Sequence, residues 1–111
     1  MSNEMREPTF LVLAALLEGP KHGYALLSAV NDLSDGRVNL QVGTLYGALD
    51  RLSRSGWVME SGTEIVDGRH RRYFTLTDTG ARALAEETAR VTARANKAAA
   101  LLAQHRKGFA L

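Results

Sequence analysis

Between Val42 and Gly56 the apolar positions fall at Leu45, Ala48, Leu49 and Leu52, the i, i+3, i+4, i+7 spacing of one buried helix face. The opposite face carries Gly43, Thr44, Gly47, Asp50, Arg51 and Arg54, with Tyr46 at the boundary. Gly56 suits the C′ position, where a left-handed backbone favours glycine. A short helix with an anchored underside and small, hydrogen-bonding residues at its start has the build of a recognition helix for the DNA major groove. Its early glycines also let the backbone approach a phosphate. An ordinary surface helix fits these residues alone equally well, so the flanking pattern has to discriminate.

Upstream, Pro8 suits the first turn of a helix, and Phe10, Leu13, Ala14, Leu16 and Leu17 make that helix broadly apolar. Gly19-Pro20 ends it. Lys21-His22-Gly23 leads into a second helix, predicted to have Tyr24, Leu27, Val30 and Leu33 as its periodic residues. Ser34-Asp35-Gly36 is a turn signal, and residues 37–41 read as a short extended link.

Downstream of Gly56 the period changes to that of strands. Residues 57–66 and 69–76 are rich in aromatic, β-branched and long side chains, and Asp67-Gly68 between them is a hairpin-turn pair. Alternation puts His70, Arg72, Phe74 and Leu76 on one side of the second strand and Arg69, Arg71 and Tyr73 on the other. Arg72 is near enough to the hairpin's base to meet a carboxylate. Three helices followed by a basic-tipped hairpin is the order of a winged helix-turn-helix, so the fold class is mainly α with a small β-hairpin.

Thr77 or Asp78 then caps a last helix. Ala81, Leu84, Thr88, Val91, Ala95, Ala98 and Leu102 alternate steps of three and four, the seam of a coiled-coil-like surface. Nothing is left in the chain to cover such a seam, which points to a partner chain. The predicted division is 1–77 for the winged domain and 78–111 for a C-terminal dimerisation helix, with residues 107–111 expected to fray.

Composition narrows the chemistry. The 111 residues allow one domain plus one extra element, and 45% hydrophobic content is ordinary for a globular chain. The absence of cysteine removes disulfides, thiolate metal sites and thiol nucleophiles. His22, His70 and His105 are widely separated, so no metal site and no cofactor are expected. There is no Gly-rich phosphate loop with its lysine and no nucleophile motif, which argues against an enzyme. A net charge of +2 with a pI of about 9.3 permits nucleic-acid binding without demanding it. The longest apolar run, residues 10–17, is too short to span a membrane, and the opening MSNEMREP does not resemble a signal peptide. A cytoplasmic protein is the expectation.

Three stretches together resemble the PadR family of bacterial transcriptional regulators. LEGPKHGYALLSAV (17–30) is similar to the family's Gly-Pro-x-His-Gly-Tyr segment, GTLYGALDRLSRSGWV (43–58) to its Gly-Thr-Leu-Tyr motif, and DGRHRRYFTLTDTG (67–80) to its arginine-rich wing running into Leu-Thr-x-x-Gly. They cover most of residues 8–80 in the family's order, and the single C-terminal helix resembles its smaller subgroup. Gly47 and His70 depart from the family's usual residues. The resemblance implies a homodimer held by the last helix, often helped by the first, that binds double-stranded palindromic operator DNA as a repressor with a small-molecule or stress input. On that basis Lys21, His22 and Tyr24 are expected at phosphates, although Tyr24 as core and His22 as a local cap fit the same residues. Gly43, Thr44, Tyr46 and Arg51 are expected at the groove, with packing under the wing as the alternative for Tyr46. Arg69 and Arg71 are expected along the minor groove or its phosphates, unless the turn is simply solvated. Phe10, Leu13, Leu84, Val91, Ala95, Ala98 and Leu102 are the expected dimer contacts. Some relatives stack planar ligands on aromatic residues at the dimer centre, and the last helix here has no Trp or Tyr for that. The other class of function is a winged-helix module used only for protein contacts; the basic wing beside a separate apolar seam favours the DNA-binding class.

Overall fold

A computed structural model describes residues 5–110, with side chains through residue 108. Residues 1–4 and Leu111 lie outside the described residues, so the reading of the first half of MSNEMREP and of the final residue has no structural counterpart. The elements run α1 (Glu7–Leu16), β1 (Lys21–His22), α2 (Gly23–Leu33), α3 (Val42–Arg54), β2 (Val58–Val66), β3 (Arg69–Leu76) and α4 (Asp78–Ala110). The arrangement is the expected winged helix-turn-helix followed by a long helix.

Pro8 sits in the first turn of α1, where its missing N–H costs nothing. Leu11, Val12, Leu13, Ala15 and Leu16 are all buried, so α1 is covered around most of its circumference. It forms the centre of a core completed by Leu26, Val30, Leu45, Leu49, Leu52, Val58, Phe74 and Leu84. Two expected dimer contacts are corrected by this packing. Leu13 is 0% and Leu84 4% exposed within the single chain, so neither has surface left to offer a partner.

The buried stripe of α2 also differs from the predicted one. It is Gly23, Leu26 and Val30, while Tyr24 and Leu33 are 67% and 52% exposed. Gly23 faces inward because a Cβ there would lie 2.5 Å from the Tyr46 hydroxyl oxygen. In α3 the buried residues are the predicted four, Leu45, Ala48, Leu49 and Leu52. Its end is a Schellman motif: Gly56 has φ 77°, its N–H donates to the Ser53 carbonyl at 3.0 Å, and Trp57 N–H donates to Leu52 at 2.9 Å.

The hairpin turns through Asp67 and Gly68 with φ of 53° and 76°, the two positive values of a type I′ turn. It belongs to a three-stranded antiparallel sheet of order β1-β3-β2, because Lys21 and His22 pair with Phe74 and Tyr73. Sequence reasoning missed this edge strand. It also missed a register shift between Glu60 and Gly62. The shift sets Glu64 opposite Arg71 rather than His70, so the distal part of β2 presents the other set of side chains to its neighbour.

Thr77 is the cap of α4. Its hydroxyl accepts the Gly80 N–H at 3.0 Å and donates to the Gly56 carbonyl at 2.6 Å, tying the helix start to the end of α3. The 33-residue α4 packs on α1 through Leu84 and Glu87, then continues past the core and gives the molecule its 67 Å length. Of residues 107–111, expected to fray, 107–110 continue the helix and Leu111 lies outside the described residues.

Candidate nucleic-acid interface

The exposed side of α3 is unusually bare. Gly43 and Thr44 are open, a Cβ at Gly43 would meet nothing within 4 Å, and at Gly47 the nearest atom would be Arg51 Nη1 at 3.9 Å. A flat surface can therefore come close to the helix backbone. Asp50 pairs with Arg54 at 2.7 Å, an exposed i, i+4 pair worth about 0–1 kcal/mol. That leaves Arg51 exposed and outside any ion pair among the described residues.

Tyr46 occupies the position that the packing alternative gave it. Its ring meets Phe74 edge-on with centroids 6.3 Å apart, and the Arg72 guanidinium lies 5.7 Å from its centroid. Arg72 also lies 5.3 Å from the Phe74 ring, and Glu60 Oε1 accepts from its Nε and Nη2 at 3.1 and 2.8 Å. The carboxylate's hydrogen bonds raise the Arg72 pKa above the ordinary arginine value, partly opposed by burial, so the cation persists at all working pH values. This chain of contacts, Glu60–Arg72–Tyr46, fastens the base of the wing to α3. Among the described residues the Tyr46 hydroxyl has no hydrogen-bond partner. It rests against Gly23.

The start of α2 separates the three residues expected at phosphates. His22 is the helix cap, its Nδ1 accepting the Ala25 N–H at 3.3 Å, and its ring meets Tyr73 edge-on at 5.4 Å. Tyr24 is exposed, which overturns its reading as core. Lys21 is drawn away: its ammonium pairs with Glu18 at 3.3 Å, its side chain is only 20% exposed, and it lines a hollow with Ala25, Ser28 and Asp32. The Lys21–Glu18 pair, with Glu18 mostly exposed, is worth about 0–1 kcal/mol.

At the wing tip Arg69 and His70 are exposed and Arg71 is half-exposed, and neither Arg69 nor Arg71 joins an ion pair among the described residues. Of the β2 carboxylates, Glu60 pairs with Arg72, while Glu64 stands opposite Arg71 in the register and accepts from the Tyr73 hydroxyl at 3.5 Å. The tip thus carries Arg69 and Arg71 outside ion pairs among the described residues, with the carboxylates of Glu64 and Asp67 nearby. Between the starts of α2 and α3 lies a hollow of about 100 Å³ lined by Gly23, Tyr24, Leu27, Val42 and Tyr46. Leu27 is expected in the periodic stripe of α2, whereas Val42 has no role predicted from sequence; its only signal is an apolar residue at the first position of an otherwise polar helix start.

Along α4, Thr88, Val91, Ala95, Ala98 and Leu102 are exposed, Val91 by 40% and Leu102 by 60%, with Leu101 beside them at 64%. Val91 borders a groove that also holds Phe10 and Leu11 of α1 and the buried Glu87, whose carboxylate accepts from Arg90 at 2.7 and 3.0 Å. Phe10 is half-buried there. No group of three or more metal-ligating side chains converges among the described residues, and no helix there is long and apolar enough to cross a membrane.

A sequence model of the transcriptional regulator PadR-like family matches residues 12–86. A curated relative, an uncharacterized 37.1 kDa protein in transposon TN4556 of Streptomyces fradiae, is 40% identical over 77 residues, which are 69% of this chain and 21% of that protein. The chain therefore spans about a fifth of that relative's length. Among solved structures, a PadR family transcription regulator from Clostridium difficile aligns with a TM-score of 0.71 at 21% identity, covering 87% of this chain and 99% of that one. Bacillus subtilis PadR, crystallised in complex with operator DNA, aligns with a TM-score of 0.64 at 23% identity over 73% of this chain and 46% of its own. At these identities both are likenesses of fold.

Proposed function

The chain belongs to the PadR-like family of transcriptional regulators, which are not enzymes, and from that premise we propose that it is a homodimeric, cytoplasmic repressor that binds a palindromic DNA operator and leaves it on a small-molecule or stress signal. Residues 1–77 are the DNA-binding unit and residues 78–111 the dimerisation helix in this reading, although the first turns of α4 also complete the winged core through Leu84. The observation that carries it is the pairing of two wing-tip arginines outside ion pairs among the described residues, Arg69 and Arg71, with an open recognition helix, held together by Glu60, Arg72 and Tyr46. Arg69, Arg71, Arg51, Thr44 and the backbone at Gly43 meet the duplex. The Tyr24 hydroxyl and the α2 start meet the adjacent phosphates, leaving the Tyr24 ring face to the hollow beside α3, with His22 acting through its cap and Lys21 adding its charge. Val91, Ala95, Ala98 and Leu102 meet the partner helix, with Phe10 beside them.

Arg69→Ala with Arg71→Ala should weaken operator and random DNA alike, because phosphate and minor-groove contacts carry little sequence information. Losing two phosphate contacts should flatten the slope of log K against log salt by about two units. Titrations at several salt concentrations measure it. An unchanged slope removes the wing from the interface, and the absence of salt-sensitive DNA binding in the parent protein would favour the protein-contact module.

Tyr46→Phe separates packing from contact. The hydroxyl has no partner among the described residues, so melting should change by no more than about 0.5 kcal/mol. A DNA affinity loss of about 0.5–1.5 kcal/mol in the same variant would assign the hydroxyl to the duplex, and an unchanged affinity would leave Tyr46 as a packing residue alone.

A further inference from the structure

The hollow between α2 and α3 has a composition at odds with its surroundings. Its lining residues, Gly23, Tyr24, Leu27, Val42 and Tyr46, carry no charge, while the neighbouring surface is polar and basic. Val42 is 50% and Tyr24 67% exposed, so two large apolar walls stand open to solvent at the first turn of the recognition helix. With about 100 Å³ the hollow is well below the roughly 300–1,000 Å³ of a site for a small-molecule effector. A phosphate would find no cation among its walls. What fits is a small apolar group delivered at the start of α3.

Resting on the DNA-binding reading above, we infer that this hollow receives the 5-methyl group of one thymine in each operator half-site, with Val42 and Tyr24 as the specificity-determining walls. In the winged docking mode the start of the recognition helix faces base edges. The thymine methyl is the one apolar group that the four bases present in the major groove. Gly23 is needed for the hollow's shape, because a Cβ there would displace the Tyr46 ring that forms its floor. Neither hydrogen bonding nor charge is required of the walls, which explains why apolar residues occupy a surface otherwise suited to phosphates.

The test starts from a duplex selected by the protein out of a random pool, in which each thymine is then replaced singly by uracil, deleting the methyl and nothing else. One symmetry-related pair of thymines should stand out. Uracil at one of them should weaken binding about fourfold and at both about sixteenfold, the scale of one buried methyl per half-site. The salt slope should not change, since no charge is altered. In Val42→Ala the penalty for uracil should fall below about twofold, a coupling that identifies the wall. Tyr24→Ala, at an exposed position outside the core, is the second variant and should lower the penalty too. A selected duplex with no sensitive thymine, or a uracil penalty undiminished in both variants, overturns the inference while the DNA-binding reading stands. A pool that yields no preferred duplex overturns both.

Discussion

Aspartate at both Val91 and Leu102 should turn the proposed dimer into a monomer that has lost its operator but kept its fold. Each substitution would bury an unpaired charge in the helix pair, and uncompensated buried charges cost about 3–5 kcal/mol apiece. Within one chain the same positions are 40% and 60% exposed, so the winged core has little to lose. Two half-sites about 34–36 Å apart are bound together only by two joined domains. Separating them should cost operator affinity about 10²–10⁴-fold, the usual gain from linked sites, and random DNA far less. Sedimentation with an operator titration measures both. A double variant that remains dimeric, or a monomer that holds the operator as well as the parent, would show that α4 does not organise the DNA-bound form.

Gly80→Ala should be the most damaging single methyl in the protein. A Cβ there would sit 2.1 Å from the Trp57 carbonyl oxygen, 2.9 Å from its carbon and 2.8 Å from Leu76 Cδ1. The Trp57 backbone has no freedom to retreat: its N–H is bonded to Leu52 at 2.9 Å and its carbonyl accepts Thr77 N–H at 3.0 Å. The helix start would have to lift instead, losing the Thr77 cap as it did so. Overpacking that only shifts side chains costs about 1–3 kcal/mol, and a fixed backbone puts this case at about 3 kcal/mol or above. Gly108→Ala in the same helix is the control, since nothing lies within 4 Å of a Cβ there and the change should be neutral or mildly stabilising, by up to about 1 kcal/mol. Denaturant melts of the two variants give the comparison. Equal stabilities would mean that α4 is not seated on Trp57.

The recognition helix was legible because its four buried residues share one narrow stripe and its other face is polar, so periodicity had a single solution. In α2 the apolar residues Tyr24, Leu26, Leu27, Val30 and Leu33 spread over two stripes, and periodicity alone could not rank them. The choice falls to Gly23, which turns inward beneath a tyrosine from a different helix. Leu13 and Leu84 illustrate a related limit: a leucine covered by its own chain and one covered by a partner look alike in sequence. The edge strand at Lys21–His22 is two polar residues long, and only β3 makes it a strand. In sequence Lys21 reads as a phosphate ligand without its pair to Glu18, three residues away across the Gly19-Pro20 turn. The wing arginines were legible one by one: alternation set Arg72 apart from Arg69 and Arg71, and Arg72 meets a carboxylate near the hairpin's base as expected. Glu60 takes Arg72 and leaves Arg69 and Arg71 uncommitted.

The seating of α4 on Trp57 and Gly56 also makes the helix a lever. Its first turn is fixed to the end of α3 through Thr77, Leu84 and Glu87 hold the next turns on the core, and residues 88–110 at about 1.5 Å each give a free arm of about 35 Å. A tilt of about 5° at the fixed end moves the free end by about 3 Å on an arm of that length. In the proposed dimer, small angular changes at the joint become large changes in the distance between the two winged domains. There the joint acts as a gauge, and the permitted spacing between half-sites is a measurement of one angle.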